Sequence, residues 1–301
     1  QDWTVANILQ NDFPEGGIYQ DRNNDVPKFL PSKSIVCNSP PETFSVNQFG
    51  TTYFEFICDA DYEITINWQN SVQLHTEDAF SGKFSYWSNS GDESAMRLRK
   101  DFDLSGVTGH TELTYKTWFD IEQDYDYLYV NVTRDGEHWD NLETPGCTWG
   151  DPTGSNLGCG YNGKSHGWLT QTIDLDSFIG EKIVIEFEYI TDAAVNGEGF
   201  FLDDVELEAV GFFDDFEGEE KGWLSEGFVR IDNSIPQIMG ITIILSDPAQ
   251  SIKKFIRSEE EIFTFTVNRD EGNAPEIAII IGLTRYTKIP AQYQISVVQL
   301  N

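Results

Sequence analysis

The sequence predicts an all-β protein, made of tandem antiparallel β-sandwich or jelly-roll domains with a short N-terminal helix. Aromatic residues are abundant, with 21 Phe, 12 Tyr and 8 Trp among 301 residues. Isoleucine outnumbers both leucine and alanine, and this is the composition that β-strands favour. Short apolar runs are separated by turn residues with no helical period between them, which is typical of two-sheet sandwiches.

The N-terminal segment, residues 1–35, is predicted to be a short helix followed by a connector. Apolar side chains at positions 3, 5, 6, 8 and 9 follow Asp2 and share roughly one helical face. The sequence that follows is rich in Pro, Asn, Asp and Gly, which favour irregular structure. Because the chain starts with neither Met nor a basic leader and an apolar run, we expect a processed or excised product.

Three further segments follow from the strand and turn signals. Residues 36–66 are predicted to form a β-hairpin, because two strand-like runs flank a turn at 59–62. Residues 67–209 supply the longest series of strands, including a strict alternation over 183–190, and are predicted to form a jelly roll. A cluster of acidic residues and glycine shortly after residue 210 predicts a domain boundary there. A second sandwich is predicted over 210–301.

The four cysteines are Cys37, Cys58, Cys147 and Cys159. Their spacing does not match the short C-x₂₋₄-C pairs of a zinc knuckle. Four cysteines allow three pairings, and we expect the two local ones, Cys37 with Cys58 and Cys147 with Cys159. Such disulfides imply an oxidising, extracellular compartment, so the protein is expected to be secreted or on the cell surface. A Cys/His protease built from the second pair and nearby histidines stays open as an alternative.

The charge balance limits the partners. With 51 acidic and 19 basic residues the net charge is −32, which disfavours nucleic acid and anionic lipid. No run approaches the roughly 18 to 20 apolar residues of a membrane span. We expect a protein or cell-surface polymer as the partner, with self-association as an alternative.

Common catalytic motifs are absent from the sequence. It contains no H-E-x-x-H pair, no G-x-S-x-G and no phosphate- or dinucleotide-binding glycine motif. Paired carboxylates can hydrolyse glycosides, but nothing distinguishes one pair among so many acids. No catalytic residue and no zinc site are therefore predicted in this chain.

A run of alternating carboxylates predicts a metal site. Asp120, Glu122, Asp124 and Asp126 occupy every second position, and residues two apart in a strand share one face. Clustered anions need water or a hard cation with oxygen ligands, and Ca²⁺ accepts six to eight irregularly placed oxygens. Calcium as a structural cofactor is therefore predicted, and a solvated turn of acids is the alternative.

Two other acid pairs extend the candidate calcium ligands. Asp92 and Glu93 lie in a predicted loop, and Asp203 and Asp204 lie in a predicted strand. Adjacent strand residues point to opposite faces, so at least one of Asp203 and Asp204 is expected to be buried. A buried carboxylate needs a cation or backbone donors, because the basic residues are too few.

Several stretches in order resemble the non-catalytic C-terminal region of immune inhibitor A-like metallopeptidases, peptidase family M6. The resemblance spans nearly the whole chain. The stretches that carry it are residues 2–7, 45–50, 81–89 (Ser-Gly-Lys-Phe-Ser-Tyr-Trp-Ser-Asn), 118–122 with 124–126, 134–139 (Arg-Asp-Gly-Glu-His-Trp), 189–192, 199–204 (Gly-Phe-Phe-Leu-Asp-Asp) and 287–293.

The resemblance implies a fold and an origin. In such proteins a zinc catalytic domain precedes β-sandwich modules similar to the MAM (meprin-type) jelly roll, in which acids near edge strands bind calcium. By the family pattern, residues 1–35 resemble the tail of a catalytic domain, 67–209 the jelly roll and 210–301 the terminal sandwich. Because the zinc ligands are not in this chain, we expect a non-enzymatic accessory region, whose full-length parent is a metallopeptidase.

Two other classes of protein remain open at this stage. An extracellular structural protein would use sandwiches and edge strands to build a surface layer or filament. A carbohydrate-binding module would use exposed aromatic residues as a sugar-stacking platform, although aromatic side chains at strand positions mostly fill cores.

Overall fold

The computed structural model describes residues 33–245, 252–258, 261–268 and 276–300. These residues form 23 strands and two short 3₁₀ helices, Asp176–Phe178 and Glu208–Val210. The all-β prediction is confirmed. The predicted N-terminal helix lies outside the described residues. Within the described residues, none of the helices has the length and apolar character that crossing a membrane requires.

The strands follow one another along the chain with short connections. In chain order they are β1 (Lys33–Val36), β2 (Glu42–Val46), β3 (Thr51–Ile57), β4 (Tyr62–Trp68), β5 (Ser71–Gln73), β6 (Ser85–Trp87), β7 (Ala95–Asp103), β8 (Glu112–Asp120), β9 (Tyr127–Thr133), β10 (Trp139–Asn141), β11 (Gly160–Tyr161), β12 (Leu169–Asp174), β13 (Lys182–Ile190), β14 (Gly199–Leu207), β15 (Phe212–Asp214), β16 (Leu224–Glu226), β17 (Val229–Ile231), β18 (Ser234–Pro236), β19 (Ile238–Ile244), β20 (Ile252–Ser258), β21 (Ile262–Val267), β22 (Ile277–Gly282) and β23 (Ala291–Gln299).

The chain divides into two compact units. The middle unit runs from Glu77 to Asn233, and the terminal unit combines the residues before it with those after it. The middle unit is therefore an insertion, in sequence, within the terminal unit.

The middle unit is a sandwich of two mainly antiparallel sheets. One sheet has the order β10-β9-β13-β7-β16 with β11 against β9, and the other has β12-β8-β14-β6-β17 with β15 against β14. The alternation predicted over 183–190 is realised in β13, where Ile183, Ile185, Phe187 and Tyr189 are buried in the core. Period-two patterning thus fixes which face of the strand meets the other sheet.

The terminal unit contains sheets drawn from both ends of the chain. Their orders are β1-β3-β22-β19-β20, β2-β23-β4-β21 and β18-β5. Strand β22 is central in its sheet and almost wholly buried, in keeping with the apolar side chains on both of its faces. Strand β3 lies between β1 and β22, and β4 lies between β23 and β21, so neither terminal stretch completes its sheets alone.

The predicted hairpin over 36–66 is wrong. Strands β3 and β4 are adjacent in sequence but lie in different sheets. The turn between them carries the chain from one sheet to the other, and Cys58 at that turn is bonded to Cys37. The chain does bend at residues 59 and 60, between β3 and β4, but local sequence does not reveal which strand pairs with which.

The predicted boundary near residue 210 also differs from the structure. Strand β15 pairs with β14, and Phe216 and Trp223 belong to the core of the middle unit. The carboxylate of Asp214 is buried and accepts a hydrogen bond from Trp223 Nε1 at 2.9 Å. The acidic cluster shortly after residue 210 thus lies within the middle unit, which ends at Asn233.

Both expected disulfides are present. Cys37 is bonded to Cys58 in the terminal unit, and Cys147 is bonded to Cys159 in the middle unit. Because all four cysteines are paired, neither Cys147 nor Cys159 is a free nucleophile, and the Cys/His protease alternative is excluded for these residues.

Candidate metal centre

Three carboxylates converge at one end of the middle unit. Glu122, Asp126 and Asp192 each offer an oxygen, and these oxygens lie within 4.8 Å of one another. Asp126 is 1% exposed, whereas Glu122 and Asp192 are partly buried. We call these three residues the acidic triad.

The strand order places the triad. Asp126 directly precedes β9, and Asp192 follows the end of β13 by two residues. These strands are antiparallel neighbours with Tyr127 opposite Ile190, so the start of one and the end of the other meet at the same sheet edge. The backbone N–H of Asp192 donates to Asp126 Oδ1 at 2.8 Å.

Glu122 reaches the triad through a turn. The chain leaves β8 at Asp120, and the N–H of Asp126 donates to the carbonyl of Glu122 at 3.3 Å. Ile121 is buried and its N–H donates to Gly163 at 2.8 Å, which anchors the turn. The two carboxylates are thus brought together by four-residue spacing in a turn rather than by period two in a strand.

The electrostatics of the triad disfavour its charged form. The pKa of Asp126 is raised to about 6, chiefly by burial and also by the charges of Asp192 and Glu122, while hydrogen bonds from Asp192 N–H and Tyr189 Oη–H oppose the rise. Burial, followed by the charge of Asp192, also raises the pKa of Glu122. Oε2 of Glu122 is buried and accepts no hydrogen bond from the described residues.

No basic side chain of the described residues forms a salt bridge with the triad. Lys164 is bonded to Asp120, the residue just before this turn, with 3.0 Å between Nζ and Oδ2. Three convergent carboxylates, two of them with a raised pKa, together with an oxygen that lacks a donor and no salt-bridged cation among the described residues, make up the kind of donor set that a hard, oxygen-binding metal ion takes.

The other members of the alternating run do not join the triad. The carboxylate of Asp120 accepts a hydrogen bond from Lys164 Nζ at 3.0 Å. Asp124 adopts a left-handed backbone conformation with φ 70°, and its carbonyl accepts a hydrogen bond from the Thr153 hydroxyl. Residues 121–126 are not a strand, so the expectation that all four carboxylates share one face is wrong.

Asp92 and Glu93 lie in a loop that is bonded to the segment carrying Asp192. The N–H of Glu93 donates to the carbonyl of Asp192 at 2.5 Å, and Thr191 Oγ1 donates to the carbonyl of Gly91 at 2.5 Å. Asp92 Oδ1 accepts from Asn196 Nδ2 at 2.6 Å. Both acids therefore lie near the triad without belonging to the group of three convergent oxygens.

Asp203 and Asp204 occupy a different part of the unit. Asp203 is fully buried, as one of the pair was expected to be. Its two oxygens accept from Ser81 N–H at 3.1 Å and from Asp204 N–H at 2.8 Å, and burial raises its pKa to about 7. Asp204 accepts from Ser81 Oγ at 2.6 Å. Backbone and hydroxyl donors thus satisfy this pair, which closes the loop at Ser81.

Sequence reasoning missed Asp192. Its segment, Tyr189-Ile190-Thr191-Asp192, was among the resembling stretches, but the residue was not connected with the alternating run, 66 positions away from Asp126. A useful signal was available: a carboxylate that lies two residues after a strictly alternating strand.

A second group of metal-ligand types lies on the surface. His110, Asp174 and Asp176 are all exposed. Hydrogen bonds from the His110 ring N–H groups to the carboxylates of Asp176 and then Glu112 raise the pKa of His110 to about 9. The imidazolium is therefore already the cation that neutralises this group.

The fold and the triad define a class of protein: a disulfide-containing jelly-roll module with a candidate cation site where the ends of two neighbouring strands meet. The model for the family described as "Immune inhibitor A-like, MAM domain" matches residues 64–233. This match covers more than half of the chain and ends where the middle unit ends, and the chain belongs to this family.

Curated relatives align over the same kind of partial span. Pre-pro-metalloprotease PrtV of Vibrio cholerae serotype O1 (strain M66-2) is 33% identical over 152 residues, which is 50% of this chain and 16% of that protein. Immune inhibitor A of Bacillus thuringiensis subsp. alesti is 35% identical over 153 residues, which is 49% of this chain and 21% of that protein. Bacillopeptidase F of Bacillus subtilis (strain 168) is 34% identical over 100 residues, which is 33% of this chain and 6% of that protein. The aligned region therefore spans about a fifth or less of each relative.

Proposed function

We propose that this chain is a secreted, calcium-stabilised β-sandwich region that accompanies an immune inhibitor A-like metallopeptidase. Its role is stability, substrate docking or surface attachment, and it does not cleave bonds itself. The observation that carries the calcium part is the acidic triad, in which the buried Oε2 of Glu122 lacks a partner among the described residues.

The size of the triad suits calcium. Ca²⁺ binds oxygens at about 2.3–2.6 Å, so two ligands on opposite sides of the ion are about 5 Å apart. The triad oxygens lie within 4.8 Å of one another. Carboxylates, which are hard ligands, favour Ca²⁺ over softer metals, and the ion would supply the positive charge that neutralises three otherwise repelling anions.

The accessory role rests on what is shared with the relatives. Two of them carry the words metalloprotease and peptidase in their names, yet the aligned region is a small part of each. The sequence of this chain has no H-E-x-x-H zinc motif. Both facts are explained most simply if this chain shares a jelly-roll module with these relatives and their catalytic residues lie outside the aligned region.

Secretion is supported by covalent chemistry. Both units contain a disulfide, and such bonds persist in oxidising compartments, where calcium is also abundant. The net charge of −32 disfavours nucleic acid and anionic membranes as partners. A protein or a neutral cell-surface polymer is the expected partner, and self-association is the alternative.

Calorimetric titration of the metal-free chain with CaCl₂ tests the proposal. We expect saturable binding by the wild-type chain and its loss in Asp126→Asn and Asp192→Asn, whereas Asp140→Asn, a change at an exposed carboxylate, retains it. Equal heats for all four proteins would overturn the calcium site. Casein hydrolysis by the purified chain, abolished by chelation and restored by zinc, would overturn the non-enzymatic role.

A further inference from the structure

A groove lies on the outer face of the first sheet of the middle unit, at the end of β9 remote from the triad. It has a volume of about 270 Å³ and is lined chiefly by Arg99, Asp101, Thr133, Trp139, Val184 and Leu224. This volume is close to the lower end of the roughly 300–1,000 Å³ of small-molecule sites. We call it the Trp139 groove.

Strand register builds the groove. Trp139 in β10 is opposite Thr133 in β9, Thr133 is opposite Val184 in β13, and Val184 is opposite Asp101 in β7. The four residues form one row across the sheet. The neighbours Val132 and Ile183 belong to the core, so period-two alternation points the row away from it. Two short side chains therefore make the floor, with an indole at one end and a carboxylate at the other.

Arg99 holds the polar side of the groove in place. Its Nε donates to Glu186 Oε2 at 2.7 Å, and Glu186 is 3% exposed. The guanidinium lies 5.5 Å from the centre of the Trp139 ring, a cation–π distance that restrains the indole. The ring and the guanidinium are thus positioned before any ligand arrives, which reduces the ordering that binding requires.

The chemistry of this row points to one class of ligand. A partly exposed indole offers a flat apolar surface, while Asp101 and Arg99 offer an acceptor and donors beside a floor of two small side chains, Thr133 and Val184. A pyranose ring has the matching pattern of an apolar C–H face surrounded by hydroxyls. We propose that the Trp139 groove binds a neutral saccharide unit of a glycan.

The charge of the chain argues for a neutral glycan. Asp101 is exposed at the groove, and Arg99 is already paired with Glu186 and lies 3.5 Å from Glu226. With a net charge of −32 overall, uronate or sialylated glycans are repelled. The groove is separated from the triad by the length of β9, so failure of calcium binding and failure of glycan binding are distinguishable.

A glycan array with the calcium-loaded full chain tests this inference. The probes are neutral hexasaccharides of glucose, mannose, xylose and N-acetylglucosamine, with oligogalacturonate as the acidic arm. The strongest neutral hit is then titrated against wild type, Trp139→Ala, Asp101→Ala and Trp149→Ala. Trp149 is the matched control, because it is a 63% exposed tryptophan of the same unit outside the groove.

We expect binding of at least one neutral hexasaccharide, weakened about tenfold or more by Trp139→Ala and clearly weakened by Asp101→Ala. Trp149→Ala is expected to bind as wild type does. Melting curves show whether each variant is folded. If Trp139→Ala does not fold, the binding of the glycan by Asp101→Ala tests the proposal. The inference is overturned if no neutral probe binds with Kd below about 1 mM, if only oligogalacturonate binds, or if Asp101→Ala binds as tightly as wild type.

Discussion

The backbone N–H of Asp192 donates a 2.8 Å hydrogen bond to Oδ1 of Asp126, across the edge where β13 ends and β9 begins. This bond joins two acidic residues whose charges repel, and it does so next to a third carboxylate, that of Glu122. A backbone donor lowers the pKa of Asp126, but burial outweighs it and leaves that pKa near 6. The proposed calcium ion would offset the repulsion among these three carboxylates.

Glu122→Gln is expected to change stability in opposite directions with and without calcium. In chelator the variant melts higher than wild type, because it removes one of three repelling charges. In calcium at 100 times its Kd, wild type gains about 2.7 kcal/mol, and the variant gains less. Thermal unfolding in both buffers measures the difference.

Glu137→Gln is the matched control for this test. Glu137 is exposed and lies in the turn before β10, away from the triad. It is expected to show the full calcium shift of wild type. An undiminished calcium shift in Glu122→Gln would remove Glu122 from the site.

Asp203→Asn is expected to flatten the pH dependence of stability. Burial raises the pKa of Asp203 from 3.8 to about 7, so folding favours the protonated carboxyl. The cost of burying an ionised Asp203 carboxylate is absent below about pH 4, where the carboxyl is protonated in both the folded and the unfolded state, and is complete above about pH 7. The free energy of unfolding of wild type therefore rises as the pH falls from about 8 to about 5. The shift corresponds to at most about 4 kcal/mol.

Urea unfolding of the metal-free chain between pH 5 and 8 measures this effect. Asp203→Asn should have a smaller slope with pH, and a residual slope of the same sign is expected from Asp126. Asp140→Asn, at a carboxylate with 73% side-chain exposure, should keep the wild-type slope. A wild-type slope in Asp203→Asn would mean that Asp203 does not titrate in this range.

Removing the Cys147–Cys159 disulfide is expected to destabilise the middle unit by about 3 kcal/mol, the chain-entropy value for a loop of this size. The bond closes a separation of 12 residues, and this loop contacts the sheet through Asn156, whose Oδ1 accepts from Tyr129 Oη at 3.1 Å. Urea unfolding of a Cys147→Ala, Cys159→Ala double variant measures the loss. An unchanged midpoint would show that the loop does not contribute to stability.

The unit boundaries predict which fragments fold. A fragment of residues 77–233 holds both sheets of the jelly roll and is expected to unfold cooperatively. A fragment of residues 210–301 lacks β1 to β4, of which β3 pairs with β22 while β2 and β4 lie on either side of β23, and it is expected to remain unfolded. Circular dichroism and urea titration of both compare them, and the reverse result would support the boundary near residue 210.

The sequence predicted local features well and long-range pairing poorly. Composition and alternation were sufficient for the all-β class and for the buried face of β13, because burial leaves a period of two in a strand. The same reasoning predicted burial at Asp203 or Asp204. It failed for β3 and β4, because a turn between two strands does not show whether the strands continue in one sheet.

The site was found only in part for the same reason. Glu122 and Asp126 were among the candidates because acids are dense in that run, but Asp192 joins them through the register of β9 and β13. Asp120 and Asp124 were indistinguishable from the two triad members by pattern alone. Asp120 is kept out of the triad by its ion pair with Lys164, and Asp124 by its left-handed backbone conformation. The spacing of the acids predicts neither feature.

A crystal structure grown in calcium, with anomalous scattering data collected, tests the central claim most directly. We predict an anomalous peak within about 2.3–2.6 Å of carboxylate oxygens of Glu122, Asp126 and Asp192. Three carboxylates with no ion between them, or an ion bound at Asp203 and Asp204 instead, would contradict it.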